Sequence, residues 1–168
     1  MKTFITSQFN YCPLVWMCHN RTINNKINRL HERALRLVYK NKNLTFQELL
    51  DKDNTVTIHH KNLQKLAIEM YKVKTKTSPV PMQELFTEKI HQHDLRNKSI
   101  WERENVRTVK YGKETIKHLG PKTWFFVPND IKEATSLIQF KNKIKKWKPN
   151  DCTCRLCKSY IFQLGFID

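Results

Sequence analysis

The chain has little glycine and no long apolar run, and each shortage excludes a class of protein. Glycine occurs at three of the 168 positions, and Gly112 and Gly120 are the closest pair. A phosphate-binding loop needs glycines at much shorter spacing, so a nucleotide site of that kind is excluded. No apolar stretch approaches the about 20 residues of a membrane-spanning helix. The N-terminal apolar residues are interrupted by Thr, Ser, Gln and Asn, unlike a secretory signal.

Acidic residues are also scarce. There are 15 Asp and Glu against 31 Lys and Arg, which gives a formal charge of +16. So large a charge repels itself unless an anionic surface receives it, and RNA or DNA is the commonest such surface. A membrane face is the competing interpretation, and a basic domain with no polyanion partner is the plain alternative. We expect RNA or DNA as the partner and no membrane partner.

The absence of an export signal predicts an intracellular chain, in the nucleus or the cytoplasm and not secreted. In those compartments the five cysteines are expected to be reduced thiols or metal ligands rather than disulfides.

Two long segments have helical periodicity. In 21–40 the apolar residues recur in steps of four and three and predict one buried face: Ile23, Ile27, Leu30, Ala34 and Leu37. A second helix is predicted over about 57–76, with an apolar stripe formed by Ile58, Leu63, Leu66, Ala67, Met70, Tyr71 and Val73. Ser78-Pro79 ends it. We expect these two helices to pack as an antiparallel hairpin.

The remaining segments predict shorter elements. Residues 4–19 are apolar and aromatic and are typical of one helix that packs on a larger core. Leu44 to Leu49 has the spacing of a capping box, with Thr45 and Glu48 as the reciprocal pair. The alternation over 106–111 predicts a short strand, and residues 82–88 predict a helical turn.

Two helices are predicted near the C-terminal end. The first carries Pro121, at which either the helix is kinked or a second helix begins. The second starts at Ser136, with Gln139 as its capping partner. Its apolar face is formed by Leu137, Phe140, Ile144 and Trp147.

We therefore predict a mainly α fold: a helical hairpin plus a second small helical C-terminal subdomain, with at most one short strand pair. The predicted divisions are a helical region at 1–88, a linker at 89–105, a C-terminal helical subdomain at 106–149 and a cysteine-containing tail at 150–168. The linker is assigned because charged and polar residues dominate there.

Cations repeat on the helix at 21–40, beside its apolar face. They are Lys26, Arg29, Arg33, Arg36 and Lys40. A solvated helix face normally mixes charges of both signs to gain pairs four residues apart. Glu32 is the only acid in this segment, which favours contact with phosphate over a merely solvated face.

The last helix has a similar excess of cations. The lysines around its apolar face are Lys141, Lys143, Lys145, Lys146 and Lys148. A cationic helix with aromatic residues could also lie on a membrane. Because its apolar face is needed for packing, phosphate is the simpler partner, and Lys141, Lys145, Lys146 and Lys148 are predicted to contact it.

No catalytic site is predicted. Two-metal nucleotidyl transfer needs carboxylates that converge on the metals, and none of the Asp residues lies in a strand–turn–strand setting. No nucleophile motif surrounds a Ser or Cys. The chain alone is therefore not expected to be an enzyme.

The tail carries three closely spaced thiols, Cys152, Cys154 and Cys157. Three thiolates can bind zinc, but a structural zinc site has four ligands. The fourth would come from a distant residue: His91, His93, His118, Cys12 or Cys18. The alternative is a reactive or damaged thiol cluster. Cys12 and Cys18 lie among large apolar residues, which is typical of core cysteines. Apart from this possible zinc, no cofactor is expected.

As an ordered set, several segments resemble the C-terminal, post-palm region of reverse transcriptases from jockey-like non-LTR retrotransposons. They are SQFNYCPLVWM, INRLHERALRLVY, FQELLDKDNTVTIHHKNLQKLAIEMYKV, GPKTWFFVPNDIKEATSLIQFKNKIKKW and CTCRLC. The most specific pieces are Ile58-His59-His60-x-Asn62-Leu63 and Gly120-Pro121-Lys122-x-Trp124. The resemblance covers nearly the whole chain.

The resemblance implies a fragment of an RNA-directed DNA polymerase. In full-length members this region follows the palm, whose Tyr-x-Asp-Asp motif binds the metals and is not found in this sequence. Met1 would then be an internal methionine of a longer ancestor, and the palm would be a missing partner. Residues 1–88 would be thumb-like, and the later segment would hold template RNA and target DNA. The tail departs from a full Cys-Cys-His-Cys knuckle. The resemblance assigns no catalytic residue to this chain.

A different class of function stays open. In it the chain is a stand-alone basic adaptor that binds a protein through its aromatic N-terminal helix. RNA binding that weakens steeply with salt supports the first interpretation, and salt-insensitive binding to one protein supports the second.

Metal analysis tests the zinc site. If the tail cysteines are ligands, the purified protein contains about one zinc per chain, and changing Cys152, Cys154 and Cys157 to Ser removes it. Protein that carries no stoichiometric metal would end the zinc hypothesis and leave the thiol cluster.

Overall fold

The computed structural model describes residues 5–18, 21–41, 43–88, 101–102, 105–108, 112 and 115–148. Over these residues the fold is mainly α, as predicted. The helices in chain order are α1 (Ile5–Asn10), α2 (Pro13–Trp16), α3 (Arg21–Tyr39), α4 (Phe46–Lys52), α5 (Ile58–Lys74), α6 (Val80–Glu84), α7 (Ile116–Phe126), α8 (Asn129–Lys132) and α9 (Leu137–Lys146). The only β pairing among the described residues is an isolated antiparallel bridge between Glu88 and Trp101.

The chain divides into two compact units at Asn62 and Leu63, inside α5. This division differs from the predicted one, whose boundary was a linker at 89–105. The reason is that the second half of α5 shares its core with α7, α8 and α9. Most of the predicted linker lies outside the described residues. Trp101 within it is buried and packs edge-on against Phe86, with ring centroids 6.0 Å apart.

The second unit is built around stacked aromatic rings. Phe140 of α9 stacks on Tyr71 of α5 at a centroid distance of 4.3 Å, and on Trp124 of α7 at 6.0 Å. The Tyr71 hydroxyl donates to the Ala134 carbonyl at 2.8 Å, so its polar end is satisfied inside the core. The predicted apolar stripe of α5 is confirmed, since all seven of its residues are buried.

Helix α7 continues through Pro121, so the predicted alternative in which a second helix begins there is wrong. A separate short helix, α8, begins after Pro128. Gly120 explains how α7 packs closely: a Cβ there would lie 2.8 Å from both Met70 Sδ and Phe86 Cε1. These distances are well inside van der Waals contact, so the side chains of Met70 and Phe86 occupy the space that a Cβ would need.

The first unit contains the predicted capped helix. The Thr45 side chain accepts from the Glu48 amide, and Glu48 accepts from the Thr45 amide at 2.7 Å, which confirms the capping box at the start of α4. Phe46, Leu49 and Leu50 of α4 form a core with Leu35 of α3.

Helix α3 buries only part of the predicted face: Ala34 is buried as predicted and Ile27 is half-buried. Ile23, Leu30 and Leu37 are exposed, with Leu37 78% accessible. The buried positions are Asn24, Asn28, His31, Ala34 and Leu35. The helix is therefore rotated by about one residue relative to the apolar pattern. Leu35 and the edge-on contact of His31 with Phe46, at 5.7 Å, fix this orientation against α4.

The N-terminal segment is two short helices rather than one. Cys12 adopts a left-handed backbone with φ 39°, and Pro13 starts α2. Pro13 is the first residue of α2, a position at which its missing N–H leaves no helix hydrogen bond unmade. Cys12 is exposed and Cys18 half-buried, so the prediction that both are core cysteines is wrong for Cys12. The Trp16 indole donates to the Tyr11 carbonyl at 2.8 Å across this break.

Two further boundaries differ from the prediction. No strand forms over the described part of 106–111, which is residues 106–108. Gly112 packs closely on Val106, since a Cβ at Gly112 would lie 2.7 Å from the Val106 Cβ. The helical turn predicted at 82–88 lies earlier, at Val80–Glu84, because Pro79 and Pro81 suit the first turn of a helix.

Gly120→Ala tests the close packing of α7. Helix propensity alone favours alanine by about 1 kcal/mol, whereas overpacking costs about 1–3 kcal/mol. We expect a net loss of roughly 1 kcal/mol in the free energy of unfolding, measured with urea. Lys117→Ala, at an exposed position of the same helix, is the control and should cost nothing. A Gly120→Ala protein as stable as the wild type would contradict the close packing of α7 at Gly120.

His31 makes stability depend on pH. The pKa of His31 is lowered to about 4, chiefly by burial and also by the Lys61 charge, while the Asp53 charge partly opposes this shift. Below about pH 6.5 the unfolded chain takes up a proton that the folded chain refuses. Stability should therefore fall between about pH 6.5 and 4, by up to about 3 kcal/mol.

His31→Gln cannot titrate and isolates this effect. The difference in unfolding free energy between wild type and variant should shrink as the pH falls from 7 to 4.5. A difference that stays constant over that range would show that His31 is not the group responsible.

Candidate nucleic-acid interface

Two helices carry the predicted cations, one in each unit. We call Lys26, Arg29 and Arg33 the α3 ridge, and Lys141, Lys145 and Lys146 the α9 lysines. The two sets belong to different compact units.

The α3 ridge is exposed along its whole length. Its members are spaced by three and four residues, so they lie on one face of the helix. Among the described residues no carboxylate lies within ion-pair distance of any of the three. Their charges are therefore available to an outside anion.

The other two predicted members of the row behave differently. The Arg36 guanidinium pairs with Glu32 one turn earlier, with a 2.7 Å contact to Glu32 Oε1. Lys40 follows the last residue of α3 in a left-handed backbone, φ 48°, which takes it off the helical repeat. Glu32 thus opposes one cation of the row. A surface pair of this kind contributes only about 0.3–0.5 kcal/mol, so a phosphate can compete for Arg36.

A row of exposed apolar side chains lies beside the α3 ridge. Ile23, Leu30 and Leu37 recur every seven residues and are exposed beside the cations. The apolar periodicity had predicted this face to be buried. The signal against that prediction lies in Asn24, Asn28 and His31, whose spacing of four and three marks an equally regular polar face.

The α9 lysines stand on a firmly anchored helix. The Ser136 side chain caps its first turn by accepting from the Gln139 amide at 3.2 Å. The Gln139 side chain accepts from the Thr135 amide at 2.8 Å rather than from Ser136, so the predicted box is shifted by one residue. Phe140 and Ile144 are fully buried, as predicted. With that face inside, Lys141, Lys145 and Lys146 are exposed.

Helix α9 contains no acid. Lys141 and Lys145 are four residues apart, a spacing at which like charges repel. Within the described chain no carboxylate pairs with either, or with Lys146. Lysines in the last turn do gain from the helix dipole, but that gain does not apply to Lys141.

The end of α9 is held by α5. The buried Gln64 amide donates to the Trp147 carbonyl at 2.7 Å and to the Lys145 carbonyl at 3.4 Å. Carbonyls at the end of a helix accept no hydrogen bond from the helix backbone, so a side-chain donor stabilises the terminus. Lys148 follows this anchored end and is exposed. Lys143, by contrast, donates to the Asp130 carbonyl at 2.8 Å and is half-buried.

Two lysines that the sequence analysis did not select lie beside Trp124. Lys74 Nζ is 5.8 Å from the indole centroid, and Lys132 Nζ is 5.9 Å from it. Lys132 Nζ also donates to the Phe125 carbonyl at 3.4 Å. Burial lowers the pKa of Lys132, and the neighbouring Lys74 charge lowers it further. No sequence pattern joins these residues, since they are far apart in the chain.

The predicted zinc ligands Cys152, Cys154 and Cys157 lie outside the described residues, as do His91 and His93. Zinc at the tail therefore stays a prediction. Over the part of the chain that is described, no three His, Cys, Asp or Glu side chains gather as metal ligands. No described helix combines the length and apolar character needed to cross a membrane.

Comparison with known proteins found no match: no family model, no curated protein and no solved structure is similar to this chain.

Proposed function

We propose that the chain binds the phosphate backbone of RNA or DNA through the α3 ridge and the α9 lysines. The observation that carries the proposal is the exposure of six cations on two helices, none of them paired with a carboxylate in the described structure. Lys148, Arg36 and Lys40 flank these sets and add to the positive surface.

Phosphate contact explains why like charges accumulate on one helix. Each neutralised phosphate releases condensed counterions, and this gain in entropy drives binding at moderate salt. Without a polyanion, the like charges of Lys141 and Lys145 only destabilise the helix. Lysine and arginine also contact phosphate without reading sequence, so the proposed binding depends on the backbone and not on bases.

The resemblance to post-palm regions of jockey-like retrotransposon reverse transcriptases supports the same proposal. On that basis the chain acts as the nucleic-acid-holding part of an RNA-directed DNA polymerase, and a palm outside this sequence supplies the metal-binding aspartates. We assign no catalytic residue to the chain itself. The proposal covers RNA and DNA alike, since both present the same phosphates.

A protein-binding adaptor is the second candidate. Tyr11 and Val15 of the N-terminal segment are 77% and 81% exposed. Ile23, Leu30 and Leu37 add an exposed apolar row on α3. Surfaces of this kind favour protein contact, and binding through them would depend little on salt.

A salt titration of RNA binding tests the proposal. We expect the dissociation constant for a single-stranded RNA to rise steeply with salt. Changing Lys26, Arg29 and Arg33 together to Gln should lower the slope of log K against log salt by about 2, since each phosphate contact contributes about 0.7. Circular dichroism checks that the variant still folds.

The matched control removes the same charge elsewhere, at the exposed Lys52, Lys76 and Lys117. If both triple variants lose affinity equally, net charge and not the α3 ridge is responsible. Absence of RNA and DNA binding even at low salt would refute the proposed function, and salt-insensitive capture of one protein would favour the adaptor.

A further inference from the structure

The second unit brings two ammonium groups to one buried indole. Lys74 is the last residue of α5 and Lys132 the last residue of α8, and both Nζ atoms lie within 6 Å of the Trp124 ring centroid. Trp124 is only 3% exposed and is held by its stack on Phe140. Core packing therefore fixes the ring beside which both ammonium groups lie.

The two cations have weak partners in the described structure. The indole face attracts each of them, and the Phe125 carbonyl accepts one long hydrogen bond from Lys132. Two acids are close in sequence: Asp130 lies in α8, and Glu133 directly follows it. Both are exposed, and in the described structure neither lies within ion-pair distance of either ammonium. Lys132 is half-buried, so water screens its repulsion with Lys74 less than at an open surface.

The geometry selects the chemistry of a ligand. An ammonium has three N–H donors, and Lys132 uses one of them on Phe125. The buried Trp124 ring offers no free face on which a nucleobase could stack. An anion with several acceptor oxygens, able to take donors from both lysines at once, fits the two point charges; phosphate is such an anion.

We propose that Lys74 and Lys132 form a phosphate-binding site on the second unit, separate from the α9 lysines, which takes one backbone phosphate of a bound nucleic acid. The assignment of the phosphate to a nucleic acid rests on the proposed function, whereas the affinity of this site for phosphate does not. Bound phosphate supplies the negative charge that offsets the repulsion between the two ammonium groups.

Lysine side-chain NMR on the full chain measures the site directly. The pKa of Lys132 is followed in sodium phosphate and in sodium chloride of equal ionic strength, with the signal assigned by its loss in Lys132→Gln. Phosphate should raise that pKa by roughly one unit, and the exposed Lys76 should not respond. An equal Lys132 pKa in both salts overturns the site.

Lys74→Gln is the second variant. It removes one of the two charges and keeps Lys132 as the reporter. Without phosphate it should raise the pKa of Lys132, and it should weaken the response to phosphate severalfold. A full response in this variant would show that Lys74 does not take part. Lys132→Arg removes the reporter but keeps the charge, so it should bind RNA with the salt slope of the wild type, which separates loss of charge from loss of folding.

RNA binding identifies the source of the phosphate. The double variant Lys74→Gln and Lys132→Gln should lower the salt slope by about 1, and the double control Lys76→Gln and Lys117→Gln should leave it unchanged. A response to inorganic phosphate with an unchanged RNA slope overturns the assignment to a nucleic acid. If Lys132 responds to phosphate but the chain binds no RNA or DNA, the proposed function fails and the phosphate site stands.

Discussion

The second unit depends on the contact of Phe140 with Tyr71 and Trp124. These three rings come from α9, α5 and α7, so one set of stacked contacts joins three helices that are distant in sequence. Large apolar rings that are fully buried contribute most to such a core. Because Phe140 points inward, the opposite side of α9 faces solvent, and the α9 lysines lie on that side.

The same contact organises the charges around it. Gly120 lets α7 approach Met70 and Phe86, which brings Trp124 to the end of α5 where Lys74 lies. The hydroxyl of Tyr71 and the amide of Gln64 satisfy carbonyls at Ala134 and Trp147. Apolar packing and a few buried hydrogen bonds thus bring Lys74 and Lys132 together although they repel each other.

In the first unit, polar residues occupy the inside of α3. Asn24, Asn28 and His31 are buried while Ile23, Leu30 and Leu37 are exposed. The Asn28 Oδ1 and His31 Nδ1 atoms are buried without a hydrogen-bond partner in the described structure, which costs about 1–3 kcal/mol for each such group. An exposed apolar row opposite buried polar groups is typical of a helix that has a further contact surface, and it lies beside the α3 ridge.

The sequence by itself determined the local structure: the helical class, the Thr45 and Ser136 caps, the buried stripe of α5 and the excess of cations on α3 and α9. These features depend on residues within a few turns of each other, so spacing and charge predict them. The tertiary structure decided which face of α3 is inside, that α5 belongs to both units, and that Lys74 and Lys132 lie beside the same indole. Those outcomes depend on packing between distant segments: α3 is oriented by Leu35 against α4, and the two lysines by Trp124. No periodicity within one helix contains that information.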